Sequence, residues 1–155
     1  MLATALAVLL VGCGPAREDN LYQALGGESG VARLVEAAVA ESVADPRFGD
    51  LFTQADLNRL REQLADQICE LASGPCVYQG LSMADAHSGM QITPSEFNWF
   101  VEHTRDAMIE LGYPVGTQNR LLALLAPMRD EVLGDPNAQP EPEVEGEDPL
   151  GLGLD

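Results

Sequence analysis

The chain has no lysine. Its 8 basic residues are all arginine, set against 25 aspartates and glutamates, for a formal charge of −17 over 155 residues. So acidic a surface repels phosphate backbones and anionic headgroups, which excludes nucleic-acid binding. Long hydrophobic runs are missing too: the longest, Leu2 to Gly12, is too short to cross a bilayer, so membrane contact must come through an anchor. Aromatics make up only 5% of the chain, and no stretch alternates with period two for long enough to form a strand. Neither an HExxH motif nor a Cys/His quartet at ligand spacing occurs, so a zinc site has no support.

The two ends differ from the middle. Residues 1–13, MLATALAVLLVGC, hold an apolar stretch closing on Leu10-Val11-Gly12-Cys13, the general form of a secretory signal, although no base precedes Arg17. The four closing residues resemble the lipobox of bacterial lipoproteins. That resemblance implies acylation of Cys13 and an exported protein, lipid-anchored on the periplasmic side of a bacterial membrane. The other reading is a buried N-terminal helix of a cytoplasmic protein, against which Gly12-Cys13-Gly14-Pro15 stands as a helix stop. Residues 14–20 read as a short linker. Residues 134–155, with seven acids, four prolines and no base, read as a disordered acidic tail. Between them lies one domain, residues 21–133, with enough apolar material for a single core.

Four apolar stripes at helical spacing make this domain all-α. They are Val31, Leu34, Val35, Ala38, Val39 and Val43; Leu57, Leu60, Leu64, Ile68 and Leu71; Phe97, Phe100, Val101, Met108 and Leu111; and Leu121, Leu122, Leu124, Leu125, Met128 and Val132. Thr93-Pro94-Ser95-Glu96 is the firmest helix start: a side-chain acceptor at the cap, proline where its missing N–H is harmless, and a glutamate able to reach back. Thr53 with Asp56, and Ser82 with Asp85, are weaker versions. Gly89 closes the segment opened by Ser82, so Ser82–Ser88 is predicted to be a helix of under two turns that presents something rather than packs.

Two histidines are present. His103, in Val101-Glu102-His103-Thr104-Arg105, lies amid charges and is expected at the surface. His87 lies in the short helix, in Asp85-Ala86-His87-Ser88-Gly89-Met90. A packed, partly buried side chain is the ordinary role for such a residue. A lone histidine also suits haem iron, where the porphyrin supplies four nitrogens and the protein need supply only one ligand.

The runs Leu21-Tyr22-Gln23-Ala24-Leu25-Gly26-Gly27, Asp50-Leu51-Phe52, Gly74-Pro75-Cys76-Val77-Tyr78-Gln79-Gly80, Met83 to Thr93, and Leu124-Leu125-Ala126-Pro127-Met128 follow one another in an order and spacing that resembles the group 1 truncated haemoglobins. The resemblance spans the whole domain. It implies a truncated globin-like two-over-two helical sandwich with a nearly absent first helix, a haem b cofactor, and a proximal helix of about one turn in which His87 is the iron ligand, its Nδ1–H oriented by a backbone carbonyl or water. It further implies a haem wall of Phe52, Leu60, Leu64, Ile68, Tyr78, Met83, Met90, Ile92, Phe97 and Val101, with ordinary core packing the equal alternative for each.

The resemblance also implies a distal pocket of Val39, Leu60, Leu64 and Gln67. Many family members have a tyrosine where Val39 stands, and Gln63 occupies the place where some carry a second iron-binding histidine. The expectation is an open sixth iron site with an apolar wall, taking O2, NO or CO. Gln67 is the one polar candidate, with a solvent-facing glutamine as the alternative. Dioxygenation of NO or peroxide handling would need a reductase and stably held oxygen, so an enzymatic role stays open. Cys69 and Cys76 are compatible with a disulfide or with two free thiols. The other class of function compatible with these residues is a haem-free helical lipoprotein serving as an interaction module.

Overall fold

A computed structural model describes residues 20–134. The signal segment with Cys13, most of the short linker and the acidic tail lie outside these described residues. Within them the chain is helical, without strands: α1 Leu21–Ala24, α2 Gly27–Ala44, α3 Leu57–Leu71, α4 Met83–Ala86, α5 Pro94–Glu110, α6 Val115–Leu125 and α7 Arg129–Leu133, with 3₁₀ turns at Gly49–Phe52 and Ala126–Met128.

Local chemistry sets most of the boundaries. Thr93 and Glu96 form the full reciprocal cap expected: the Thr93 hydroxyl accepts from the Glu96 amide at 3.3 Å and the Glu96 carboxylate accepts from the Thr93 amide at 2.7 Å. Ser82 caps α4 by accepting from the Asp85 amide at 3.1 Å. Thr53 does not start α3, contrary to the sequence expectation. Asp56 is the cap, accepting from the amides of Asn58 and Arg59, because its carboxylate takes two orphan donors where a hydroxyl takes one. Thr53 instead donates to the Asp50 carbonyl. The fourth stripe, expected as one helix, is broken into α6, a 3₁₀ turn and α7. Pro127 has no amide to donate and its ring crowds the preceding turn.

α2 is the centre of the fold, packed along α5 and against α3. Its Val31, Leu34, Val35 and Val39 are wholly buried together with Leu25, Met108 and Leu121. Each such side chain contributes roughly 1.5–3 kcal/mol by leaving water. Gly30 lets the α1–α2 elbow close, since a Cβ there would strike the Leu25 carbonyl. Tyr113, from the α5–α6 connection, donates its hydroxyl to that same carbonyl at 2.7 Å, and burial raises its phenol above the usual range.

Cys69, at the end of α3, is joined by a disulfide to Cys76 in the loop toward α4, which resolves the alternative the spacing left open. Closing so short a ring removes unfolded-state freedom worth about 2 kcal/mol in the chain-entropy account.

The corner after α2 carries a cluster not anticipated from the sequence. His103 is not at the surface: its side chain is 12% exposed, its ring stacks on Phe48 with centroids 5.5 Å apart, and Nε2 lies 3.1 Å from the Asp45 carboxylate. Its Nδ1 lies 3.3 Å from the Ser42 hydroxyl, which spends its own hydrogen on the Ala38 carbonyl at 2.7 Å. Both ring nitrogens therefore face acceptors. Partners from distant positions, not the charged neighbours in sequence, decide where the ring sits. Phe48, buried at 4% exposure, also meets Trp99 and Phe52, while the Arg47 guanidinium lies 4.7 Å over the Trp99 ring.

Hydrogen bonds from Arg47 hold the Asp45 carboxyl well below its ordinary value of 3.8, at about 2, and proximity to His103 acts in the same direction. A carboxyl depressed in the folded state contributes stability above its unfolded value and loses that contribution as pH falls through the folded one. In Arg47→Ala, Asp45 should titrate back toward the ordinary carboxylate range by carbon NMR, and the part of acid destabilisation that falls between pH 4 and 2 should become shallower.

Candidate functional site

α4 spans four residues, too few for a helix to persist by itself, so its cap and its neighbours hold it. It packs chiefly on α7. His87 follows as its C-terminal residue, and its Nδ1 lies 2.8 Å from the Met83 carbonyl. A carbonyl can only accept, so Nδ1 carries the proton and Nε2 presents its lone pair. Among the described residues Nε2 has no hydrogen-bond or ion-pair partner. His87 is half-buried, unlike a histidine sealed in the core.

α3 and α5 carry apolar side chains that are only half-buried: Leu57, Leu60 and Leu64 on the first, Phe97, Phe100 and Val101 on the second. Met83, Tyr78, Ile92 and Phe52 are half-buried as well, and Met90 is 40% exposed. Large apolar groups left partly accessible in a small helical domain are what a flat apolar cofactor requires, and a neutral imidazole nitrogen is a donor suited to its iron. The donor set and the accessible apolar faces fit a haem.

The expected residues do not all play one part. Ile68 is buried at 2% and Val39 at 0%, both inside the main core. Phe52 lies at the end of the first 3₁₀ turn with its ring edge-on to Phe48, so the aromatic cluster at the corner orients it. The Tyr78 hydroxyl donates to the Leu81 carbonyl at 2.9 Å, bracing the loop that leads to α4. Gln67 is not solvent-facing: it is 9% exposed and its amide reaches the sulfurs of Met83 at 3.2 Å and Met128 at 3.7 Å. Of the arginines on α3, Arg61 lies 2.6 Å from the Glu36 carboxylate of α2, while Arg59 is exposed.

Phe48 and Trp99 were missed by the sequence reading, and His103 was expected at the surface. Trp99 and His103 stand four apart on α5, a spacing that places them on one face and that hinted at a shared contact.

The sequence model of the family described as Bacterial-like globin matches residues 20–134. The group 1 truncated hemoglobin GlbN of Mycolicibacterium paratuberculosis is 28% identical over 117 residues, 76% of this chain and 86% of the relative. The group 1 truncated hemoglobin of Tetrahymena pyriformis is 27% identical over 118 residues, 76% of this chain and 98% of the relative. The crystal structure of truncated hemoglobin from Tetrahymena pyriformis in its Fe(III) form superposes with a TM-score of 0.71 at 28% identity, covering 74% of this chain and 98% of that one. With the match running the full length of the described helices, the chain belongs to the bacterial-like globin family and is a group 1 truncated haemoglobin of two-over-two helical fold.

Proposed function

We propose that His87 is the protein ligand of the iron in this haem-binding, gas-binding globin, and that its gas site is walled by apolar side chains. The observation that carries the reading is the hydrogen bond from His87 Nδ1 to the Met83 carbonyl, which leaves Nε2 turned out as a lone-pair donor. The haem supplies the iron that takes the gas. The chain orients the imidazole, keeps the porphyrin faces dry through Phe52, Leu60, Leu64, Met83, Ile92, Phe97 and Val101, and closes its edges with Tyr78 and Met90.

On the gas side, Leu60 and Leu64 offer no hydrogen-bond donor, Val39, expected there too, is sealed in the core, and the Gln67 amide nitrogen lies against two methionine sulfurs. A charge-assisted hydrogen bond to oxygen is worth about 1.5–3 kcal/mol, so its absence weakens oxygen binding roughly ten- to a hundredfold. CO and NO depend less on such a donor. Sustained dioxygenase turnover needs firmly held oxygen and a reductase, and the apolar wall does not favour it. A haem-free interaction module, the alternative class of function, draws no support from the family to which the chain belongs.

The closing residues of the 1–13 segment support a lipid anchor at Cys13 and a position on the periplasmic side of a bacterial membrane.

Haem-loaded full-length protein should show the Soret and visible bands of a histidine-ligated globin, and His87→Ala should lose them; unaltered spectra in the variant would rule out this ligand. Leu64 is half-buried and glutamine is close to leucine in volume, so Leu64→Gln should slow oxygen release about ten- to a hundredfold in flow mixing with CO. In a bacterial host, labelled palmitate should be incorporated and the protein should stay with membranes; Cys13→Ala should abolish both.

A further inference from the structure

Gln67 stands on α3 beside residues assigned to the gas side, yet everything its amide donates to lies on the other side of the site. Nε2 is 3.2 Å from the Met83 sulfur and 3.7 Å from the Met128 sulfur. Thioether sulfur is an acceptor without a proton, so the amide nitrogen, not its oxygen, must face the two methionines. With its amide nitrogen so placed, a side chain only 9% exposed ties together the first residue of α4 and the turn immediately before α7. Those are the two elements on which the ligand helix is built, since α4 packs chiefly on α7.

Met83 is then held at both ends. Its side chain accepts from Gln67 and its carbonyl accepts from His87 Nδ1 at 2.8 Å. Met83 is the first residue of a helix of only four, so few bonds separate the side chain held by Gln67 from the carbonyl that accepts from the imidazole.

We infer that Gln67 is a positioning residue for His87, acting through Met83: a side chain of the gas-side helix that fixes the orientation and tautomer of the iron ligand opposite. This rests on the reading of His87 as that ligand, but part of its test does not involve iron.

Gln67→Met preserves length and packing and removes the donor. In the full chain without haem, nitrogen NMR of the imidazole should show the ratio of the Nδ1–H to the Nε2–H tautomer of His87 falling about fivefold, the shift that one neutral hydrogen bond sustains. In the haem-loaded ferrous protein, the iron–histidine stretching band in resonance Raman should broaden and move. Met83→Leu should reproduce both changes, and the double variant should go no further than either single one. An unchanged tautomer ratio with an unchanged band in Gln67→Met, or effects of the two substitutions that add, would overturn the inference. Because the tautomer ratio is read without iron, it decides the role of Gln67 separately from the ligation of His87.

Discussion

A single hydrogen bond, from His87 Nδ1 to the carbonyl of Met83 four residues earlier, determines what the site can do. It selects the tautomer, and the tautomer decides whether the other ring nitrogen offers a proton or a lone pair. A helix of four residues is a weak platform for such a bond. The surrounding features compensate: the Ser82 cap at one end, α7 beneath, the Gln67 amide on the Met83 sulfur, and a loop braced by Tyr78 and by the disulfide. None of these touches iron, yet each limits how far the imidazole can turn.

The apolar material of the chain is divided between two uses. α2 commits its face wholly to the core, where Val31, Leu34, Val35 and Val39 are sealed. α3 and α5 withhold part of theirs, leaving leucines and phenylalanines half-covered. That division is what a small globin needs, because side chains packed solidly against one another would stabilise the apoprotein at the expense of the cofactor. The cost is an apoprotein with accessible greasy surface, for which the acidic exterior supplies a counterweight in solubility.

Much of this was legible in the residues, and the parts that were not share a cause. Caps could be read where donor and acceptor lie within three residues, as at Thr93 and Glu96 or Ser82 and Asp85, since local geometry alone satisfies them. Thr53 misled because Asp56, three residues on, is the acceptor that caps the helix, taking the amides of Asn58 and Arg59. The break in the last stripe was announced by Pro127 but outweighed by the apolar periodicity on either side. His103 looked exposed because its sequence neighbours are charged; its real partners, Ser42 and Asp45, belong to the end of α2 and the turn after it. The roles of Gln67 and of the Cys69–Cys76 pair likewise depend on contacts across elements, which spacing by itself leaves undetermined.

The cross-link at Cys76 also bears on what happens when the ligand helix melts. His87 lies only 11 positions beyond Cys76. A flexible tether of that length spans about 18 Å on average. An unravelled α4 therefore keeps its imidazole on a short leash moored to the last turn of α3, at a local concentration on the order of millimolar. With His87 as the proposed iron ligand, detachment would be followed by recapture far more often than by escape, so a fragile helix need not mean a fleeting bond.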